Sequence, residues 1–427
     1  MLEKTELSKE QKELEKKKKN NLKIYPIYRI FSWDILFYYA IAYLFLTVQK
    51  DLTPAQALQF DAFYLLFKLM MQIPCTLFIQ KMGKRKSLII ANAVGAIHVL
   101  VIMFASSFTV LLLSQLLCAF TFIIRGTCDT DMLYDSLEKD EKRGHRFAKI
   151  DGRAVSRYYY IDAITAILSG FLYVVNPYLP MILCFITFLI TFFLTVMFEE
   201  IHEEKGKMHI REEMKNIRYG FKNIMKSRRL KSLLFYNALF VGLVGIMRNL
   251  RNVILVEIGV QEQYFGIIFA VMGITLGIAT KLQGRIHNKF RNKTLTFLSI
   301  PNTLSCLAMG FIMASNLSFE VKITTTLILL VFQNAMKGPF YVLIKRYFNN
   351  FTDSEKRVKI ATANNLCENI IASALVFVAA FALENLTIEY TTIIIGCSFM
   401  IVFTLLLDHM RKTVGLKPEE YDKKEIL

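Results

Sequence analysis

Apolar residues in this sequence come in long unbroken runs separated by short polar connections. Twelve runs stand out, at residues 24–48, 56–81, 87–104, 108–133, 150–175, 177–198, 230–257, 261–281, 294–314, 321–345, 358–383 and 389–408. Each is about 18–28 residues long, enough for a tilted helix to cross a hydrocarbon core of ~30 Å. A membrane barrel instead alternates apolar and polar residues over strands of ~10 residues, and these runs do not alternate. The pattern predicts an all-α integral membrane protein with twelve transmembrane helices.

The polar connections orient the chain. With the N-terminus inside, the outer loops carry only Lys50 and Lys322 as basic residues, beside Asp51, Glu262, Glu320, Glu384 and Glu389. The tail 1–23 holds eight lysines and the loop 199–229 holds nine Lys and Arg. Shorter inner loops carry Lys84-Arg85-Lys86, Lys142-Arg143, Arg285 with Lys289 and Arg291, and Lys356-Arg357. This is the positive-inside asymmetry, and it puts both termini in the cytoplasm. The expected organisation is a basic cytoplasmic tail (1–23), a six-helix half (24–198), a cytoplasmic linker (199–229), a second six-helix half (230–409) and a cytoplasmic tail (410–427). Within the linker Ile210, Met214, Ile217, Phe221 and Ile224 form one helical stripe among Lys and Arg. That stripe predicts an amphipathic helix on the anionic lipids of the inner leaflet; the other reading is a plain linker with a solvated charged face.

Composition agrees. Hydrophobic residues make up 54% and charged residues 20% of 427, with a mean hydropathy of +0.39, against about 45–50% and about 25% in soluble domains. The net charge of +17 and pI near 9.4 are accounted for by the inner loops, so no nucleic-acid partner is needed. The excess of Lys over Arg, with abundant Asn, Ile and Phe, fits an AT-rich bacterial genome and a plasma-membrane location. The first apolar run is too long for a cleavable signal peptide. Seven cysteines lie inside apolar runs without CxxC or metal-ligand spacing, which reads as buried thiols.

The halves repeat. Gln80-Lys81-Met82-Gly83-Lys84-Arg85-Lys86 follows the second run, and Gly284-Arg285-Ile286-His287-Asn288-Lys289 follows the eighth. Glu141-Lys142-Arg143 and Glu355-Lys356-Arg357 each precede the fifth helix of their half. Over nearly its whole length the chain resembles the major facilitator superfamily. The family signature Gly-x-x-x-Asp-Arg-x-Gly-Arg-Arg is matched at Lys81, Gly83, Lys84 and Arg85, with Gln80 for the Asp and Thr76 for the first Gly. The second copy matches at Gly284 and Lys289, with Asn288 for the Asp. In the family this acid helps lock the cytoplasmic gate, so the resemblance implies a gate at Gly83, Lys84, Arg85, Gly284 and Lys289 that leans more on hydrogen bonds. Arg125-Gly126-Thr127-Cys128-Asp129 and Leu133-Tyr134-Asp135-Ser136-Leu137 look like a stretch of bacterial drug or metabolite exporters, as more weakly does Ser169-Gly170-Phe171-Leu172-Tyr173. The Gly-Pro signature of drug–proton antiporters is missing from helix five. The resemblance implies two pseudo-symmetric halves around a substrate path, alternating access and a monomer.

Ionisable groups inside the runs are the candidate chemistry, because they cost at least ~2.5–3.5 kcal/mol in a bilayer core and so face a cavity, pair up or react. In the implied architecture helix one lines the central cavity, making Asp34 the first candidate. It is read as a proton-coupling carboxylate, a structural partner of Lys68, or a substrate contact. Asp162 and Glu368 are further proton candidates; Glu368 could also counter Arg248 or form a structural pair. Arg125 and Asp129 sit four residues apart and can pair on one helix face, or Asp129 can reach Lys337 across the inner gate. Lys337, in Lys337-Gly338-Pro339, can equally snorkel at a helix kink. Arg248 and Arg251 share a face and, with Lys68, could bind a carboxylate or phosphate; otherwise they snorkel outward. Asp135 joins the gating set. Tyr159, between Tyr158 and Tyr160, could stack on an aromatic ligand or simply pack. His98 reads as a packed histidine rather than a proton relay.

No Walker A, HExxH, CxxC or GxSxG pattern occurs, which speaks against an enzyme, a resident cofactor or a bound metal. His202 with its neighbouring acids reads as a solvated face. The expected function is secondary active transport of a small organic molecule, exported in exchange for protons. The alternatives are a proton-linked importer of an anionic or zwitterionic metabolite and, in another class, a lipid flippase or a non-transporting receptor.

Overall fold

The computed structural model describes residues 9–138, 140, 143–201, 210–350 and 357–413. The start of the basic tail, Glu141-Lys142, His202, Glu355-Lys356 and the C-terminal tail from residue 414 lie outside the described residues. Among the described residues the regular elements are helices and no strand occurs. They are α1 (Lys9–Ser32), α2 (Ala42–Leu44), a π-helical turn Phe45–Gln49, α3 (Pro54–Met82), α4 (Lys84–Phe104), α5 (Phe108–Ser136), α6 (Arg143–Val175), α7 (Tyr178–Val196), α8 (Ile210–Lys226), α9 (Arg228–Glu257), α10 (Phe265–Lys281), α11 (Gln283–Phe290), α12 (Thr294–Ala314), α13 (Phe319–Asn350), α14 (Arg357–Asn385) and α15 (Ile388–Thr413). Eleven of the described helices are long and apolar enough to cross a membrane. The first apolar run, interrupted between Ser32 and Ala42, is not among them.

That first run differs from one continuous helix. Helix α1 begins inside the basic tail, where Glu13 and Lys17 pair at 3.2 Å one turn apart and so support helix despite the charge. It stops at Ser32, and helix resumes only at Ala42. Between them Phe37 has a φ of 64°, a left-handed conformation that side-chain-bearing residues rarely adopt. Irregular backbone at membrane depth survives only where its polar groups find partners. Here the Ser169 hydroxyl of α6 donates to the Phe37 carbonyl at 3.1 Å.

The chain divides into two compact units, bounded as Met1–Ala42 with Met70–Met208 and as Tyr43–Leu69 with His209–Leu427. In the first, α4 packs on α5 and α7, and α1 packs on α5, α6 and α7. Its core joins Ile24, Tyr25, Tyr28, Cys75, Leu88, Ile124, Met132 and Phe198. In the second, α12 packs on α15, α9 on α14, and α10 on α13. The α12–α15 crossing is close because two glycines face it. A Cβ on Gly396 would lie 2.9 Å from the Leu307 backbone nitrogen, and one on Gly310 would lie 3.0 Å from the Ile393 nitrogen. Small residues of this kind let membrane helices approach closely. Between α9 and α13 the Phe240 and Phe340 rings stack, centroids 3.6 Å apart.

Helix α8 packs on α9 and α14. Ile224 is buried, while Phe221, Lys215, Arg218, Lys222 and Lys226 are exposed. Five of the cysteines are buried, but Cys367 is half-buried and Cys397 is exposed, because Cys397 sits on the outward face of α15. All seven are free thiols.

Candidate functional site

Four clusters carry the ionisable side chains, two deep in the first unit, one at the α3–α4 turn and one in the second unit. The first is a closed polar network. Arg29 of α1 pairs through Nη1 with Asp129 of α5 at 2.9 Å and through Nε with Asp151 of α6 at 3.0 Å. Tyr28 and Ser32 donate to Asp129 at 2.7 and 3.0 Å, and Tyr25 donates to Asp151 at 2.6 Å. Because α1 carries these donors at one helical spacing, a single face satisfies two acids from two other helices. The Arg125–Asp129 pair expected from their spacing is therefore not the arrangement found. Arg125 instead donates to Asn92 Oδ1 at 2.7 Å and to Thr191 Oγ1 at 3.0 Å, with its guanidinium 4.6 Å from the centre of the Phe188 ring. Neutral acceptors and aromatic faces hold that cation, while the stronger tertiary partner takes Asp129.

The second cluster surrounds the break after α1. Asp34 Oδ1 accepts from the Ile35 amide at 2.9 Å and from the Tyr39 hydroxyl at 2.6 Å. Asp162 on α6 lies close enough to interact with Asp34, and the Tyr158 hydroxyl is within bonding reach of Asp162. Trp33, Tyr158 and Tyr159 form a connected aromatic group, the Trp33 ring centre 6.5 Å from each tyrosine. Tyr158 is buried, whereas Tyr159 is 57% exposed and so presents its ring outward. Asp34 belongs to the first unit and Lys68 to the second; the Lys68 ammonium lies 5.8 Å from the Tyr64 ring centre.

At the turn between α3 and α4, Gly83 has a φ of 84°, which glycine adopts without strain. The turn aims the first amides of α4 at one acid: Glu200 accepts from the Lys84 amide at 3.1 Å and the Arg85 amide at 2.8 Å. A carboxylate there satisfies orphan amides and complements the helix dipole. The Lys84 ammonium pairs with Asp135 and, at 3.4 Å, with Asp131; Arg85 Nη2 donates to the Val196 carbonyl at 2.6 Å. Charge pairing is thus retained at this turn, contrary to the expectation drawn from Gln80, because Glu200, Asp131 and Asp135 supply the acids from other segments. In the second copy, Gly284 has open space around it and Lys289 is exposed, its ammonium 5.6 Å from the Phe290 ring centre.

The fourth cluster lines a small, partly open cavity between α9, α10 and α13, bounded by Arg248, Arg251 and Lys337 with Gln333, Asn334, Met247 and Met272 among its walls. The Arg251 guanidinium lies 4.0 Å from the Phe269 ring centre and 3.7 Å from Met272 Sδ. Its buried Nε has no hydrogen-bond partner. Arg248 faces Asp61 of α3. Glu368 is set apart from this cavity, accepting from Asn237 Nδ2 at 2.7 Å. His98 is buried and donates through Nδ1 to the Ser114 carbonyl at 2.7 Å, as a packed histidine does.

Sequence reasoning missed Arg29, Asp151, Glu200 and Asp61. Arg29 and Asp61 are ionisable residues inside apolar runs, which is the signal that flagged their neighbours. Asp151 and Glu200 stand at the ends of runs and were indistinguishable from loop charges.

Residues 30–319 match the model of a family described as the Major Facilitator Superfamily. No curated protein matches the sequence. Among solved structures, the nucleoside transporter NupG aligns at 13% identity and a TM-score of 0.71, covering 92% of this chain and 99% of that one. A POT family transporter in complex with a thioalcohol-conjugated peptide aligns at 12% identity and 0.64, covering 94% and 96%. A POT family transporter in complex with 5-aminolevulinic acid aligns at 11% and 0.65, with the same coverage.

Proposed function

This chain belongs to the Major Facilitator Superfamily, and on that premise we propose that it is a secondary active transporter that exchanges protons for a small organic molecule by alternating access. The observation that carries the coupling is Asp34 at the broken end of α1, hydrogen-bonded to Tyr39, with Asp162 of α6 within electrostatic reach. Helix breaks at membrane depth expose backbone and side-chain groups to a cavity, and a carboxylate pair in such a place can bind and release a proton. Glu368 is the corresponding acid of the second unit, and Tyr159 and Lys68 are substrate contacts.

The turn at Gly83, Lys84 and Arg85, locked to Asp135 and Glu200, supports a role in gating; Arg125, Asp129, Gly284, Lys289 and Lys337 complete that set. Releasing such a lock biases two pre-existing states. The basic connections support a plasma-membrane orientation with both termini cytoplasmic, and the exposed Lys215, Arg218, Lys222 and Lys226 of α8 support contact with anionic lipid. The protein acts as a monomer.

Export is the direction favoured by the exporter-like stretch of α5 around Arg125 and Asp129. Uptake of an anionic or zwitterionic metabolite is the second reading, favoured by the Arg248–Arg251–Lys337 cavity. One experiment separates them: metabolites are compared in cells and medium for strains expressing the intact chain or Asp34→Asn at matched levels. A compound enriched in the medium only with the intact chain gives export, and one enriched in the cells gives uptake. A pH gradient that drives equal flux through intact chain and Asp34→Asn in proteoliposomes removes Asp34 from the coupling role.

A further inference from the structure

We infer that the cavity between α9, α10 and α13 is the binding site for a small water-soluble organic anion, whose carboxylate or phosphate group is held by Arg251 and Lys337. The inference starts from charge balance. Arg248, Arg251 and Lys337 line the same cavity and lie close enough to repel one another. Among the described residues Asp61 faces this group, at Arg248. Lys337 has no ion-pair or hydrogen-bond partner among the described residues, and Arg251 rests on a ring face and a thioether, neither of which offsets a full charge. Cations at membrane depth are paired or functional, so this pair needs a negative group that the described residues do not provide.

The donor geometry states what kind. Arg251 retains a buried, unpartnered Nε, part of the planar fork that matches carboxylate and phosphate oxygens. Lys337 adds a compact ammonium from the facing helix. One hydrogen of the Asn334 amide goes to the Met272 carbonyl at 2.8 Å, and the charge offered to a ligand comes from the two cations. Met247, Met272, Val244 and Leu330 form an apolar wall for the organic body of the ligand. The inference deepens the transporter reading, on which it rests for calling the bound anion a cargo.

The test is equilibrium binding with no gradient, so a failure of proton coupling leaves its outcome unaffected. The purified full-length chain in detergent is titrated with glycerol 3-phosphate, succinate and, as the uncharged control, glycerol, at constant ionic strength. One or both oxyanions should bind and raise the melting temperature, and glycerol should not. Arg251→Gln and Lys337→Gln should each weaken that binding about tenfold or more, the loss of one charge-assisted contact. Without ligand, both variants should melt no lower than the intact chain, because each removes an uncompensated cation. The inference is overturned if neither oxyanion binds, if both variants bind like the intact chain, or if either variant is strongly destabilised without ligand. It is equally overturned if only phosphatidate in nanodiscs stabilises the chain, since the site then belongs to a lipid headgroup.

Discussion

Arg29 is the cation on which the buried acids of the first unit depend. Asp129 has a fully buried side chain and takes its charge partner from α1, with two hydroxyls adding hydrogen bonds. Removing one partner of a buried pair strands the other and costs about 3–5 kcal/mol. Arg29→Met should therefore lower thermal stability strongly, and adding Asp129→Asn should restore part of the loss; a melting temperature unchanged by Arg29→Met would show the pair to be dispensable. The sequence made Asp129 visible as an ionisable residue in an apolar run but not its partner. Spacing on one helix pointed to Arg125, yet an intrahelical pair contributes only about 0.3–0.5 kcal/mol, and a better-placed cation on another helix overrides it. Asp34, Asp162, Arg251 and Lys337 were legible one by one; that Asp162 comes within electrostatic reach of Asp34, and that Lys337 joins Arg248 and Arg251, was not, because both depend on helix rotation.

At the scale of elements, long apolar runs made the helices easy to read, since a membrane span must satisfy its backbone internally. The break between Ser32 and Ala42 was hidden, because no glycine or proline marks the left-handed residue, Phe37. Crossing angles were equally hidden, though they rest on single residues. Gly310 and Gly396 hold α12 and α15 at backbone contact. Gly396→Leu should force the two helices apart at a cost of about 1–3 kcal/mol, the usual price of overpacking, read as a lower melting temperature. A variant as stable as the intact chain would mean that the crossing has room to spare.

At the scale of the molecule, each unit encloses its own buried core, so damage in one should stay there. Hydrogen exchange followed by mass spectrometry should show Arg29→Met loosening α1, α5 and α6 while α12 and α15 keep their protection; equal loosening in both would mean that the units unfold together. The repeated halves were legible from hydropathy and from the paired basic turns. The assignment of residues 43–69 to the second compact unit was not, because nothing local in an apolar run says which distant helices it will meet.

That assignment also bears on how the protein is made. Asp61 faces Arg248, the Phe63 ring centre lies 5.1 Å from that of Phe377, and Ser373 donates to the Ala62 carbonyl across 311 residues. The ribosome makes the early half of each contact long before the late half. The first half of α3 therefore waits in the bilayer, its acid without a counter-charge, until α9 and then α14 arrive. Closure of the second unit becomes one of the last events of biogenesis, and two fragments severed in the central linker would each lack part of what the second unit needs: the later fragment has no α3, and the earlier one carries the first half of α3 without the helices it packs against.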